Sequence, residues 1–298
     1  MIFFNLQPLP KEHVLSWLLR GYLRSGSVSF SSFQEQMSLK ATKLYANQVF
    51  GRHIEGIIKL LGNRQRLLSN HTNALLWQVS VGNLVEHDSP DLDSFEHMNE
   101  QQFFGYDTSW HACQTCIKED MERYGTSYWH APHQYPSFFT CYKHSKPLVI
   151  SKEPIKNIYS EVLPHNVAAW EYVVPEDKLE LKDWQSYLKE VISLCHNNPE
   201  LITQIKPKIV KYFDVSKLKL KEQKLYCEDL NFDFEQAMGQ ELLRYLFRDY
   251  RRENLRGKTN VFKILLIGDN KVKGVRNPIY WLTVAYWLKI SNQLDVLS

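Results

Sequence analysis

The chain has 298 residues, 44% apolar and 13% aromatic, with a formal net charge of +3; that is ample for one large or two ordinary packed domains and excludes a disordered or low-complexity chain. The opening Met1 to Pro8 has no basic start and no long apolar run, and no stretch reaches the ~18 apolar residues of a membrane span, so neither a signal peptide nor a span is expected and a cytoplasmic protein is. Five cysteines in no framework pattern exclude a disulfide-stapled secreted domain and fit a reducing compartment.

Leu9-Pro10 sets an extended entry, after which Val14, Leu15, Leu18, Leu19, Tyr22 and Leu23 predict an amphipathic helix over Lys11 to Ser25, stopped at Gly26. Ser31 or Ser32 is expected to cap a short helix over Phe33 to Leu39. Asn47 is expected to cap a third, with Val49, Phe50, Ile54, Ile57, Ile58 and Leu61 inside and Gly62-Asn63 at its end. Short helices broken by Gly and Ser turns are compatible with a helix-turn-helix. Arg64 to Val79 reads as a further helix, in which His71 is expected to be a buried or half-buried histidine bonded to backbone rather than a ligand. Glu86 to Glu100 is a polar, acidic loop, and Phe103 to Trp110 leads into the densest cluster of metal-binding side chains.

That cluster is Cys113-Gln-Thr-Cys116 answered by Cys141-Tyr-Lys-His144. Two ligand pairs, each with a two-residue gap, can close on one ion, and a Cys3His set suits tetrahedral zinc. Four protein ligands leave no open position, so one structural zinc is expected rather than a catalytic one. His111, His130 and His133 crowd the same stretch as rival fourth ligands, but only His144 repeats the gap of the first pair. A helix is predicted from Ile117 to Gly125, and Tyr128 to Gln134 is expected to pack beside the metal.

These residues carry a family resemblance. Cys113-x2-Cys116, then Tyr124-Gly125-x2-Tyr128-Trp129-His130-x2-His133-Gln134, then Cys141-x2-His144 with Leu148 following, closely resembles the zinc-finger signature of the TniQ/TnsD family of transposon target-selection proteins. The opening Leu9-Pro10-x-Glu12-x2-Leu15-x-Trp17-Leu18-x-Arg20 and the pair His71-Thr72 agree with it. The resemblance implies a bacterial, non-catalytic adaptor in Tn7-like transposition. It would bind double-stranded target DNA or a CRISPR guide-RNA effector and recruit an AAA+ ATPase. It also implies a mainly α fold, with helix-turn-helix-like N-terminal helices, a small zinc-ribbon module and a helical C-terminal domain. The usual prolines inside the two ligand pairs are replaced by Gln114 and Tyr142, and Ala112 stands where an aromatic residue usually precedes the first cysteine. Residues 145–175 hold no second cysteine cluster, which favours the TnsD-like branch, although the chain is short for a full TnsD.

The expected organisation is a TniQ-like domain over 1–155, with its helical part at 1–82 and its finger at 103–150, then a basic helical domain over 156–298, the boundary falling in the Pro-punctuated 154–175. Asp183 to Cys195 is predicted helical, with Trp184, Tyr187, Leu188, Val191, Ile192 and Cys195 on a core face. Positive charge gathers in this half: seven Lys against two acids over 206–224, and ten Lys or Arg against four acids over 241–276. A helix over Phe232 to Arg252 would carry Arg244, Arg248, Arg251 and Arg252 along one flank. With Arg256 and Lys258 they form the candidate nucleic-acid contact. Pro278 to Ile290 is expected to be a core helix.

Other functions fit less well. His53-Ile54-Glu55 with Cys113-x2-Cys116 formally matches a zinc deaminase, but no proline precedes Cys113 and Cys141 and His144 would go unexplained. A nuclease built on His130 and His133 lacks the paired acids of a two-metal site. The stronger rival is a zinc-containing helix-turn-helix transcriptional regulator, which needs the same ingredients. A homodimer is left open.

Overall fold

The structure is a computed structural model that describes residues 6–39, 52–82, 109–153, 162–174, 179–247, 250, 260–267 and 277–297. The described residues are mainly helical. They fall into two units, one made of 1–74 with 108–177 and the other of 75–107 with 178–298.

The first unit begins with helix α1 (Val14–Ser25). Its apolar stripe is wider than expected, because Ser16, Trp17, Arg20 and Gly21 are buried along with Val14, Leu15, Leu18, Leu19 and Tyr22. The His13 ring caps the helix, its Nδ1 accepting from the Leu15 N–H at 3.2 Å, and Gly26 ends it in the left-handed conformation at φ 68°. Helix α2 (Phe30–Gln36) starts three residues before the predicted Phe33. The cap is Ser29, whose hydroxyl accepts from Ser32 N–H at 3.1 Å. Gly21 lets α2 come close, since a Cβ there would stand 3.2 Å from the Phe33 ring.

Helix α3 (Arg52–Leu61) turns through Gly62 and Asn63, both at positive φ, into α4 (Arg64–His71). The expected cap Asn47, and Val49 and Phe50, lie outside the described residues; Ile54, Ile57 and Ile58 are buried as predicted. The helix expected over Arg64 to Val79 is broken. Thr72 Oγ1 donates to Leu68 O at 2.7 Å and accepts from Ala74 N–H at 3.1 Å, a local exchange that competes with the helical ladder. A 3-10 turn over Ala74–Trp77 and a short helix, α5 (Gln78–Val81), follow, the latter assigned to the second unit.

The rest of the first unit is built from β1 (His111–Ala112), α6 (Gln114–Tyr124), β2 (Val149–Ser151) and β3 (Trp170–Tyr172). The strands form an antiparallel sheet in the order β1-β2-β3, with Ala112 opposite Val149 and Val149 opposite Tyr172. Strand β3 lies inside the Pro-punctuated stretch 154–175. Between α6 and β2 the chain zips onto the segment that enters α1. Ala131 N–H donates to Lys11 O at 2.8 Å, His13 N–H to Trp129 O at 2.8 Å, Trp129 N–H to Ser16 Oγ at 2.9 Å and Tyr128 OH to Pro10 O at 3.0 Å. A buried ion pair locks the same entry. Arg20 Nε and Nη2 reach Glu12 Oε1 and Oε2 at 2.9 and 2.7 Å, and Leu9 N–H adds a third bond to the carboxylate at 2.8 Å.

His71 follows its expectation: it is 4% exposed and its Nδ1 donates to Glu12 O at 2.7 Å. His13 yields a pH prediction. Burial first, and nearby His71 second, push its imidazole from 6.5 down to about 3. The unfolded chain takes up this proton near pH 6.5 and the folded chain does not until about 3. The contribution to stability is therefore complete above the unfolded value and is lost as pH falls through this window, by about 1.4 kcal/mol per pH unit. His13→Asn keeps a capping oxygen and removes the titration. Urea midpoints at neutral and mildly acidic pH should therefore fall less steeply in the variant; parallel slopes would show that His13 is not the group responsible.

The second unit packs α8 (Pro199–Phe213) against α5, α7 (Leu179–Asn197) and α11 (Pro278–Ile290). Every residue of α11 from Pro278 to Leu288 is buried, as expected of a core helix. Its Trp287 lies 5.4 Å from Phe262 and 6.0 Å from Phe234, centroid to centroid. Helix α7 buries Trp184, Tyr187, Leu188, Val191 and Cys195 as predicted.

The helix predicted over Phe232 to Arg252 is corrected. Helix α9 (Leu220–Met238) ends at Gly239, which turns at φ 73° into α10 (Gln240–Leu246), and Phe247 is extended. Phe234, Leu242, Leu243, Leu246 and Phe247 are buried, and Phe232 is 63% exposed. No helix among the described residues is long and apolar enough to cross a membrane.

Candidate metal centre

Cys113 is extended, at φ −115° and ψ 123°, and forms the N-cap of α6, so Cys116 falls in the first helical turn and both sulfurs face one side. The first ligand pair is therefore a helix start rather than a separate loop, and α6 begins three residues before the predicted Ile117. Gln114 occupies the first helical position. A proline is tolerated there only because that N–H needs no intrahelical partner, so Gln114 replaces the family's proline without changing the path. Gly125 stops α6 at φ 66°.

The second pair sits on a tight hairpin. Cys141 N–H donates to Lys146 O at 2.7 Å, Ser145 N–H to Cys141 O at 2.9 Å and Leu148 N–H to Phe139 O at 2.8 Å. Within the turn the N–H groups of Lys143 and His144 both point at Cys141 Sγ, each at 3.4 Å.

These two frames bring together Cys113, Cys116, Cys141 and His144, whose donor atoms all lie within 4.8 Å of one another. His144 Nδ1 is 3.5 Å from Cys113 Sγ, 3.4 Å from Cys116 Sγ and 3.5 Å from Cys141 Sγ, and the last two sulfurs are 3.6 Å apart. Ligand bonds of ~2.3 Å to sulfur and ~2.0 Å to nitrogen give a tetrahedron with edges of about 3.8 Å between sulfurs and about 3.5 Å from sulfur to nitrogen. The donor set thus fits one tetrahedral ion, without identifying it. Exposure of the three cysteines is 2% or less, and Leu148 seals the same cluster.

The electrostatics point the same way. Neighbouring Cys113 pushes the Cys116 and Cys141 thiols up, while hydrogen bonds from Cys116 and then Cys141 pull the Cys113 thiol down. Three thiols crowded into one buried cluster oppose one another's ionisation, and a divalent ion among them lets all three ionise.

Side chains around the donors are also ordered. His144 Nε2 faces Glu119 Oε1 at 3.1 Å, and Glu119 is also paired with Lys143. Lys143 first, and His144 second, hold the Glu119 carboxyl below its usual range. His133 Nε2 lies 3.4 Å from Cys141 Sγ. Burial lowers the His133 imidazole well below its ordinary value, so it is neutral, and with Cys141 ionised on a metal its Nε2–H would donate to the sulfur.

His130 is turned away: its Nε2 pairs with buried Asp120 at 2.8 Å and its Nδ1 with Tyr142 OH at 3.2 Å. His111 Nδ1 bonds His133 O at 3.2 Å. Tyr128, Trp129, Ala131, His133 and Gln134 are all buried beside the donors, as expected of that stretch. Tyr142, in place of the second family proline, packs its ring 5.4 Å from His133. Glu119, Asp120 and the His133–Cys141 contact were missed in the sequence, although residues 116, 119 and 120 share one helical face.

Of the candidate nucleic-acid residues, Arg244 is on α10 and pairs with Glu241 at 3.4 Å. Arg248, Arg251, Arg252, Arg256 and Lys258 lie outside the described residues. The side chains of His53 and Glu55, the formal deaminase pair, do so as well.

Residues 3–148 match the family model described as TniQ. No curated protein matches the chain.

Proposed function

Residues 3–148 are a TniQ domain, and from that premise we propose that the chain is a non-catalytic target-selection adaptor in Tn7-like transposition. The domain ties the chain to transposition; the adaptor role is inferred. It binds double-stranded target DNA or a guide-RNA effector bound there, and recruits an AAA+ regulator. The observation that carries this is the closed Cys3His centre inside the domain. Four protein donors at tetrahedral spacing leave no position for a substrate or an activated water. The metal is zinc, one per chain, held by Cys113, Cys116, Cys141 and His144, and its task is to hold α6 to the hairpin.

The nucleic-acid face is proposed on Arg244, Arg248, Arg251, Arg252, Arg256 and Lys258. In support, ten basic residues face four acids over 241–276, a surplus that phosphates would neutralise. The test is a pull-down of the tagged chain from cells carrying its native locus. Zinc, nucleic acid and an AAA+ ATPase are expected in one sample. Changing Arg244, Arg248, Arg251 and Arg252 together to Gln should remove the nucleic acid and leave the zinc. Zinc and DNA with no ATPase would instead support the transcriptional regulator.

A further inference from the structure

Glu119 belongs to neither ligand pair, yet it links the helix that carries the first pair to the hairpin that carries the second. It stands on α6, one turn after Cys116, and reaches across to the hairpin. There its Oε1 is 3.1 Å from His144 Nε2 while the same carboxylate pairs with Lys143. The other ring nitrogen of His144, Nδ1, is the one 3.4–3.5 Å from all three sulfurs. An imidazole can give a lone pair to a metal at Nδ1 only if its proton sits on Nε2.

We propose that Glu119 is the positioning residue of this centre: it accepts the Nε2–H of His144, fixes the ring in the tautomer that ligates through Nδ1, and so sets the affinity for zinc. The inference rests on the four donors being a metal site.

Three features support the assignment. His144 is the most exposed of the four donors, its side chain at 15%, so its ring has more freedom to lose than the buried sulfurs and gains more from an anchor. A carboxylate acceptor also pushes electron density into the imidazole and makes Nδ1 a stronger donor, as in carboxylate–histidine–zinc arrangements generally. The sulfur side is restrained in the opposite sense. Cys141 accepts from His133 and from two backbone N–H groups, which spreads the negative charge of a site with three thiolates. Glu119 thus strengthens the one neutral ligand where the others are already charge-rich.

Zinc affinity of the full chain, measured by competition with a chromophoric chelator, tests this. Glu119→Ala is expected to weaken binding by roughly 10–100-fold. Glu119→Gln should fall between, because its amide oxygen still accepts the bond but carries no charge. Lys143→Ala should change the affinity by less than about threefold, since an exposed ion pair contributes little.

A structural role would leave the ring itself unchanged, so the second readout is the His144 Nε2–H resonance in 15N-labelled, zinc-saturated protein. It is expected to shift upfield and exchange faster in both Glu119 variants. Wild-type protein that carries no zinc would overturn the metal site itself. Loaded wild type, with Glu119→Ala within about twofold of it and the His144 resonance unmoved, would overturn the role of Glu119 alone.

Discussion

Cys113→Ser is expected to release the metal and unfold the first unit together with it. An intact Cys3His zinc is worth about 10–16 kcal/mol in isolated finger peptides, against a total stability of about 5–15 kcal/mol for an ordinary domain. Loss of one ligand therefore removes an amount comparable to everything the unit has. The damage should not stay at the knuckles. The loop between the two ligand pairs carries Trp129 and Ala131, whose backbone bonds hold Lys11 and His13 at the entry to α1. Trp129 also packs its ring 5.3 Å from Trp110. Loosening the hairpin thus exposes tryptophans and unhooks the first helix. Metal content and tryptophan fluorescence during thermal unfolding would record both effects, and chelation of the wild type should reproduce them. Unchanged zinc content and an unchanged transition in Cys113→Ser would remove Cys113 from the ligand set.

The second large effect is expected at Arg20→Met. It deletes the guanidinium that makes a two-point contact with Glu12 while keeping most of the aliphatic stem. Both side chains are buried, at 3% and 0% exposure. Burial pushes the Glu12 carboxyl up, and the Arg20 guanidinium and the Leu9 N–H pull it back down. Without Arg20 the burial penalty loses its main counterweight and keeps only the Leu9 N–H against it, and a stranded buried charge costs about 3–5 kcal/mol. The double variant Glu12→Gln with Arg20→Met should recover a large part of this loss, because the charge that was stranded is gone. Urea denaturation of the metal-loaded proteins measures both steps. Equal stability of the single and double variants would mean that the cost lies in packing around Arg20 and not in the unpaired carboxylate.

Much of the candidate site was legible in the sequence because ligand chemistry is carried by residue type and spacing. The pairs 113/116 and 141/144 need no tertiary information to be recognised. The core of α1 and of α11 was legible for a related reason: each carries enough apolar residues at helical spacing to outvote local exceptions.

What failed to show depended on partners distant in sequence or on competition within a turn. Strand β3 is three residues long and has no period; it exists because Val149 and Ile150 of β2 pair with Tyr172 and Glu171. The break after His71 comes from the Thr72 hydroxyl bonding back to Leu68. Gly239, read through as part of one helix, instead takes a positive φ that favours glycine. Helix α8 was hidden by Pro207 and by the lysines between its buried Ile202, Ile205, Ile209 and Phe213. Glu119 and the His133–Cys141 contact escaped notice because an outer ligand contact is made across space, between α6 or the aromatic loop and the hairpin.

Zinc K-edge X-ray absorption on the purified, unsupplemented chain is the most direct measurement. A closed structural centre predicts one zinc per chain with three sulfur neighbours at about 2.3 Å and one nitrogen at about 2.0 Å. A shell containing a water oxygen in place of one of these, or protein that carries no zinc, would contradict the closed centre and with it the ground for a non-catalytic adaptor.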